Sequence, residues 1–101
     1  MHSITVKFDY DFGRTPACTD KIKKRCIQQF VVYDISAGEA SPSQLFTVPV
    51  PPGANGLVSG ITGTSPKLSI ASGSRRLGVV AHEPDGKESR PGSCTIWISV
   101  P

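Results

Sequence analysis

Few side chains in this sequence are equipped for chemistry. Cysteines stand at Cys18, Cys26 and Cys94, histidines at His2 and His82, and a basic cluster at Lys21, Lys23, Lys24 and Arg25. A catalytic nucleophile needs a base within hydrogen-bond reach and a third group to orient that base. The two histidines are far apart in sequence, one of them at the extreme N-terminal end. The nearest approach to a nucleophile elbow, Gly56-Leu57-Val58-Ser59-Gly60, has the wrong glycine spacing and no helix after it. Enzymatic activity is therefore not expected. Nor is a zinc site, because there is no C-x-x-C pair and no histidine at finger spacing. Asp9 and Asp11 lie on one strand face and could supply half of an oxygen-ligand calcium site. Neither this pair nor Asp85 and Glu88 around Gly86 has the dense carboxylate spacing of a calcium loop. A solvent-facing strand and turn chemistry explain them better, and no cofactor is implied.

The cysteines have a simpler use. Cys18 lies inside a long polar loop over residues 13–25 and Cys26 lies at its end. A bridge between them closes a small ring and removes roughly 2.5 kcal/mol of unfolded-state entropy in the loop-closure model. Cys94 has the inward parity of the last strand, where a thiol acts as a small hydrophobe. The expectation is a Cys18–Cys26 disulfide with Cys94 free, and hence an extracellular, periplasmic or cell-surface location; three free thiols would instead fit a cytosolic protein. The bridge would hold Lys21, Lys23, Lys24 and Arg25 in a defined bulge, the first candidate recognition surface. No aromatic residue lies between Phe12 and Phe30, so the cluster lacks the stacking partners of a nucleic-acid site. Trp97 is the second candidate. Its neighbours Ile96 and Ile98 read as core, which turns the indole to the other face. There it either anchors an interface or lies over Arg and Lys stems of the next strand.

The elements that must position these residues are strands. Ile and Val number 17 among 101 residues, against 4 Leu and 6 Ala, and Gly, Pro, Ser and Thr add up to 38. β-Branched residues suit a pleated sheet and the good helix formers are scarce. A net charge of +3 with 38% apolar residues does not describe a disordered chain. The length is that of one domain, here residues 1–101. Residues 3–12 alternate without a break, with Ile4, Val6, Phe8, Tyr10 and Phe12 on one face. Further strands are expected at 26–35, 45–50, 57–62, 67–71, 75–82 and 94–100. Pro49 marks the 45–50 strand as an edge, and Asp85-Gly86 supplies a turn with positive φ. The uncharged run over residues 40–66 holds five prolines and four glycines, which no membrane-spanning helix tolerates. No signal peptide is visible in the sequence. Six or seven short antiparallel strands at this spacing make an all-β sandwich.

Three segments resemble a fibronectin type III domain. Ser3-Ile4-Thr5-Val6-Lys7-Phe8 is similar to that family's second strand, and residues 27–33 (IQQFVVY) to its third. Residues 77–89 (LGVVAHEPDGKES) are similar to its penultimate strand and following turn. Phe8 stands where the family has a buried Trp and Leu77 near its usual Tyr, so the resemblance is to a divergent member or an immunoglobulin-like cousin. The family's first strand has no counterpart. The edge beside residues 3–12 is therefore expected to be covered by the chain's own residues or by a second copy.

The resemblance implies a scaffold and not an activity. The expected function is a non-catalytic extracellular or cell-surface module, a spacer or a protein-interaction domain working with partner proteins or with neighbouring domains of a longer chain. The alternative is a carbohydrate-binding accessory module of a secreted enzyme, with Trp97 and Tyr33 as its platform. Neither nucleic acid nor membrane insertion is expected.

Overall fold

Alternation in the sequence becomes alternation in space. A computed structural model describes residues 3–13, 15–19, 21–88 and 94–100; His2 and Ser89, named above, lie outside them. The strands are β1 (Thr5–Asp11), β2 (Gln29–Asp34), β3 (Ser43–Pro49), β4 (Leu57–Thr64), β5 (Gly73–His82) and β6 (Thr95–Val100). All pairings between them are antiparallel. They form a two-stranded sheet, β1–β4, facing a four-stranded sheet in the order β3–β2–β5–β6. The fold is an all-β sandwich.

Burial alternates along β1 and β3, whereas the inner strands β2 and β5 bury consecutive residues, 30–32 and 77–81. Ile4, Val6, Phe8 and Phe12 of the first segment are buried, as are Phe30, Val32, Phe46, Val48, Ile61, Leu77, Val79 and Ala81, and all belong to one cluster. At about 25 cal/mol per Å² of apolar area removed from water, each such side chain contributes roughly 1.5–3 kcal/mol. Phe8 meets Phe30 edge-on at 5.0 Å between ring centroids, and Tyr10 meets the same ring at 5.1 Å, which seats β1 over β2. On the other side β4 comes so close to β3 that a Cβ at Gly63 would stand 2.8 Å from Cγ1 of Val48. Only glycine fits there.

Where β1 and β4 begin and end, side chains complete the ladder. Ser65 is buried. Its N–H donates to the Ile4 carbonyl at 2.8 Å, while its Oγ accepts from the Ile4 N–H at 2.8 Å and donates to the Pro66 carbonyl at 2.7 Å. Between Phe8 and Tyr10 the register slips around Ser59 and Gly60. Gly60 takes φ 70° there, and its N–H donates to Asp9 Oδ1 at 2.9 Å. Asp11 accepts from the Gly13 N–H in the same manner. The two carboxylates thus cap a bulge and a turn.

Two expectations change. Residues 67–71 form no strand; Leu68 and Ile70 are half-buried against the core, and their alternation reflects packing. Pro66 stands two residues after the end of β4, and the segment must cross from one sheet to the other to start β5, so it cannot continue a hairpin with β4. β2 begins at Gln29, later than residue 26, because Ile27 is drawn instead into a parallel bridge with Ala17. Among the described residues β4 is the only strand paired with β1.

Candidate functional site

Three connections gather at one end of the sandwich: those between β1 and β2, β3 and β4, and β5 and β6. The first is the disulfide loop. Cys18 and Cys26 are bonded, with their Cα atoms 4.9 Å apart, and Cys94 is free and half-buried. Its stem is stitched to the sandwich. Ile27 N–H donates to the Pro16 carbonyl, Cys18 N–H to the Ile27 carbonyl, and Ala17 N–H to the Ala54 carbonyl, all within 2.9–3.0 Å. Ala17, Cys26 and Ile27 are buried. Thr19 Oγ1 accepts from the N–H groups of Lys21 and Ile22, so the tip is a tight turn. Arg25 carries φ 51°, a left-handed conformation that costs a residue with a Cβ about 1–2 kcal/mol. The bridged loop imposes that turn on the residue beside Cys26.

Facing the loop is the turn after β5. Glu83 N–H donates to the Lys87 carbonyl and Gly86 N–H to the Glu83 carbonyl, with Gly86 at φ 94°. Lys87 N–H donates to Asp85 Oδ1 at 3.0 Å. Glu88 anchors the turn to the outer face of the large sheet. Its carboxylate accepts from the Tyr33 hydroxyl at 2.9 Å and lies 2.8 Å from His82 Nδ1. Burial and the bond to Glu88 raise the Tyr33 pKa above its ordinary value, which keeps that hydroxyl a donor.

Between loop and turn lies a cavity of about 370 Å³ lined by Lys23, Lys24, Arg25, Glu83, Pro84, Asp85 and Lys87. Four cations against two carboxylates leave it net positive, with three of the cations on the loop wall and both carboxylates on the turn. An adjoining cavity of about 440 Å³ is lined by Tyr10, Thr15, Ile27, Ala81, Glu83, Lys87 and Glu88. Burial first, then Glu83, Asp11 and Cys94, raise the pKa of the Tyr10 hydroxyl, so it stays protonated in the second cavity. The pair of cavities forms a polarised groove. It suits a ligand that presents carboxylates or other anionic groups to the loop and donors to the turn.

The structure thus brings together Lys23, Lys24 and Arg25, whereas Lys21 lies on the exposed tip and lines neither cavity. Trp97 is 67% exposed and sits elsewhere, on the outer face of the large sheet, where it pairs with Arg76. Tyr33, opposite Gly78, shares that face. Sequence reading gave Glu83, Asp85 and Lys87 only a turn's role and Tyr10 only a core role. The signal was available, since in an all-antiparallel sandwich the first, third and fifth connections meet at one end. Among the described residues no group of three or more His, Cys, Asp or Glu side chains could hold a metal ion. No described helix is long and apolar enough to cross a membrane. Comparison with protein-family models, with curated proteins and with solved structures finds no match for this chain.

Proposed function

We propose that this chain is a non-catalytic protein-interaction module of fibronectin type III-like descent, working outside the cytoplasm and binding an acidic segment of a partner protein in the groove between the disulfide loop and the β5 turn. The observation that carries this reading is the ridge of Lys23, Lys24 and Arg25, held on a stem bridged by Cys18 and Cys26. A rigid scaffold that displays charged connections at one end is a common basis for recognition. The disulfide supports an oxidising compartment, and the strand order with its resemblance segments supports the kinship. Calorimetry with a hexaglutamate peptide at low ionic strength tests it. Binding should be salt-sensitive and should disappear in the Lys23→Glu/Lys24→Glu variant; unaltered affinity in that variant refutes the reading.

A carbohydrate-binding module is the second reading, favoured by the exposure of Trp97 on the same face as Tyr33. Binding of a neutral glucan oligosaccharide that is lost in Trp97→Ala and kept in Lys23→Glu/Lys24→Glu would select it instead.

A further inference from the structure

The small sheet is one strand too narrow for the large one, and what that leaves open has a definite shape. β4 lies over β3 through Gly63 and Val48, and β1 lies over β2 through Phe8 and Phe30. The next position beyond β1 is therefore over β5 and β6. Hydrogen bonds at Ile4 and Phe12, the residues flanking β1, fix which backbone groups of β1 face that position. Ile4 exchanges hydrogen bonds with Ser65, and Phe12 N–H donates to the Gly56 carbonyl. Even-numbered residues of β1 thus turn their backbone groups toward β4. By alternation Thr5, Lys7, Asp9 and Asp11 turn theirs to the open side, where no described strand pairs with them.

The floor of the track is apolar. Ile96 and Ile98 have core parity and pack against the cluster, yet they stay only partly buried. Core-facing residues of the neighbouring strand, Leu77, Val79 and Ala81, are fully buried. Ile96 and Ile98 lie on β6, the end strand of the large sheet. At its loop end the track meets the cavity flanked by Tyr10 and Ala81.

We propose that this track is a docking site for one extended segment of a partner protein, added antiparallel to β1. The segment carries apolar side chains at alternate positions, set down on Ile96 and Ile98, with a basic residue opposite Asp9 or Asp11 and an acidic one opposite Lys7. A second folded copy does not fit. Antiparallel pairing of β1 with its symmetry mate keeps both large sheets on one side and drives the overhanging β6 strands through each other. Parallel pairing about an axis along the strand would set Lys7 and Asp9 of the mate on Ile96 and Ile98. A lone strand avoids both, since neighbouring strands need only about 4.8 Å. This site is separate from the charged groove and goes beyond the function proposed for it.

The test joins a strand to the N-terminus of the full chain through a short Gly/Ser linker, which raises its effective concentration to about millimolar. The strand has lysine at its first and third positions, glutamate at the fifth, threonine at the seventh and valine between them. A control carries the same residues scrambled so that alternation is lost. Amide hydrogen exchange by NMR at Thr5, Lys7 and Asp9 is the readout. Slowing of about tenfold or more with the alternating strand only, lost again in Lys7→Pro, supports the proposal. Equal exchange with both strands overturns it. Protection already present in the dilute, unlinked chain would assign the edge to the chain's own residues, and protection that grows with protein concentration would assign it to a second copy; either result also overturns it. Because Lys23, Lys24 and Arg25 take no part, failure here leaves hexaglutamate binding untouched.

Discussion

Single residues carry much of this fold's specificity, and Gly63 is the clearest case. A methyl group there would run into Val48, so Gly63→Ala should cost about 1–3 kcal/mol, the usual penalty of overpacking, read as a lower midpoint in urea. Ser65→Ala acts differently. It leaves the buried Ile4 N–H without its acceptor and should cost a similar about 1–3 kcal/mol through desolvation. Arg25 permits a test of backbone strain, since its φ of 51° favours glycine. Arg25→Val should be about 1–2 kcal/mol less stable than Arg25→Gly. None of these three roles was legible beforehand. Gly63 and Ser65 look like any turn residue until Val48 and Ile4, distant in sequence, are known to face them, and Arg25 until the adjoining bridge fixes its φ. Trp97 was legible, because strict period two on a short strand with Ile96 and Ile98 inward leaves the indole only one direction.

Elements behave as their ends dictate. At the end of the sandwich away from the groove, Asp34 closes β2 and pairs with Arg75 at 2.8 Å. Partial burial raises the Asp34 pKa, but hydrogen bonds from Ser36 and the pairing with Arg75 outweigh it and hold the carboxyl below its ordinary value. A carboxyl whose pKa is lower in the folded state stabilises the fold above its unfolded pKa of about 3.9 and loses that contribution as pH falls through the folded value. Stability of the wild type should therefore fall below about pH 4, and Arg75→Ala should reduce that fall, checked by thermal melts across the acid range. The disulfide loop is an element with a test of its own. Under denaturing, non-reducing conditions one thiol should react, that of Cys94. In the native state it should react slowly, because burial raises its pKa and the thiolate is the reactive form. Three reactive thiols would remove the bridge. Pairing of Cys18 with Cys26 could be read from their places at a loop and its end, whereas the strand expected at 67–71 failed because alternation alone does not separate a ladder from a packed crossing.

At the scale of the molecule, a sandwich with two strands on one side and four on the other does two things. It concentrates charged connections at one end, and it leaves a flank of the core lightly roofed beside β1. Sequence patterning conveyed the all-β sandwich and the basic ridge well, since both are local. It did not convey that the turn at residues 83–87 faces that ridge, because this depends on strand order. The central claim is that a bridged loop presents Lys23, Lys24 and Arg25 across a groove from Glu83 and Asp85. The most direct measurement is an NMR titration of the oxidised and the reduced protein with hexaglutamate. In the oxidised form, amide shifts should cluster at residues 23–25 and 83–87. Reduction should weaken binding about tenfold or more while the core amides of β2 and β5 keep their positions, since loss of the bridge removes about 2.5 kcal/mol of constraint from the loop. Shifts scattered over the surface, or affinity unchanged by reduction with the core intact, would contradict it.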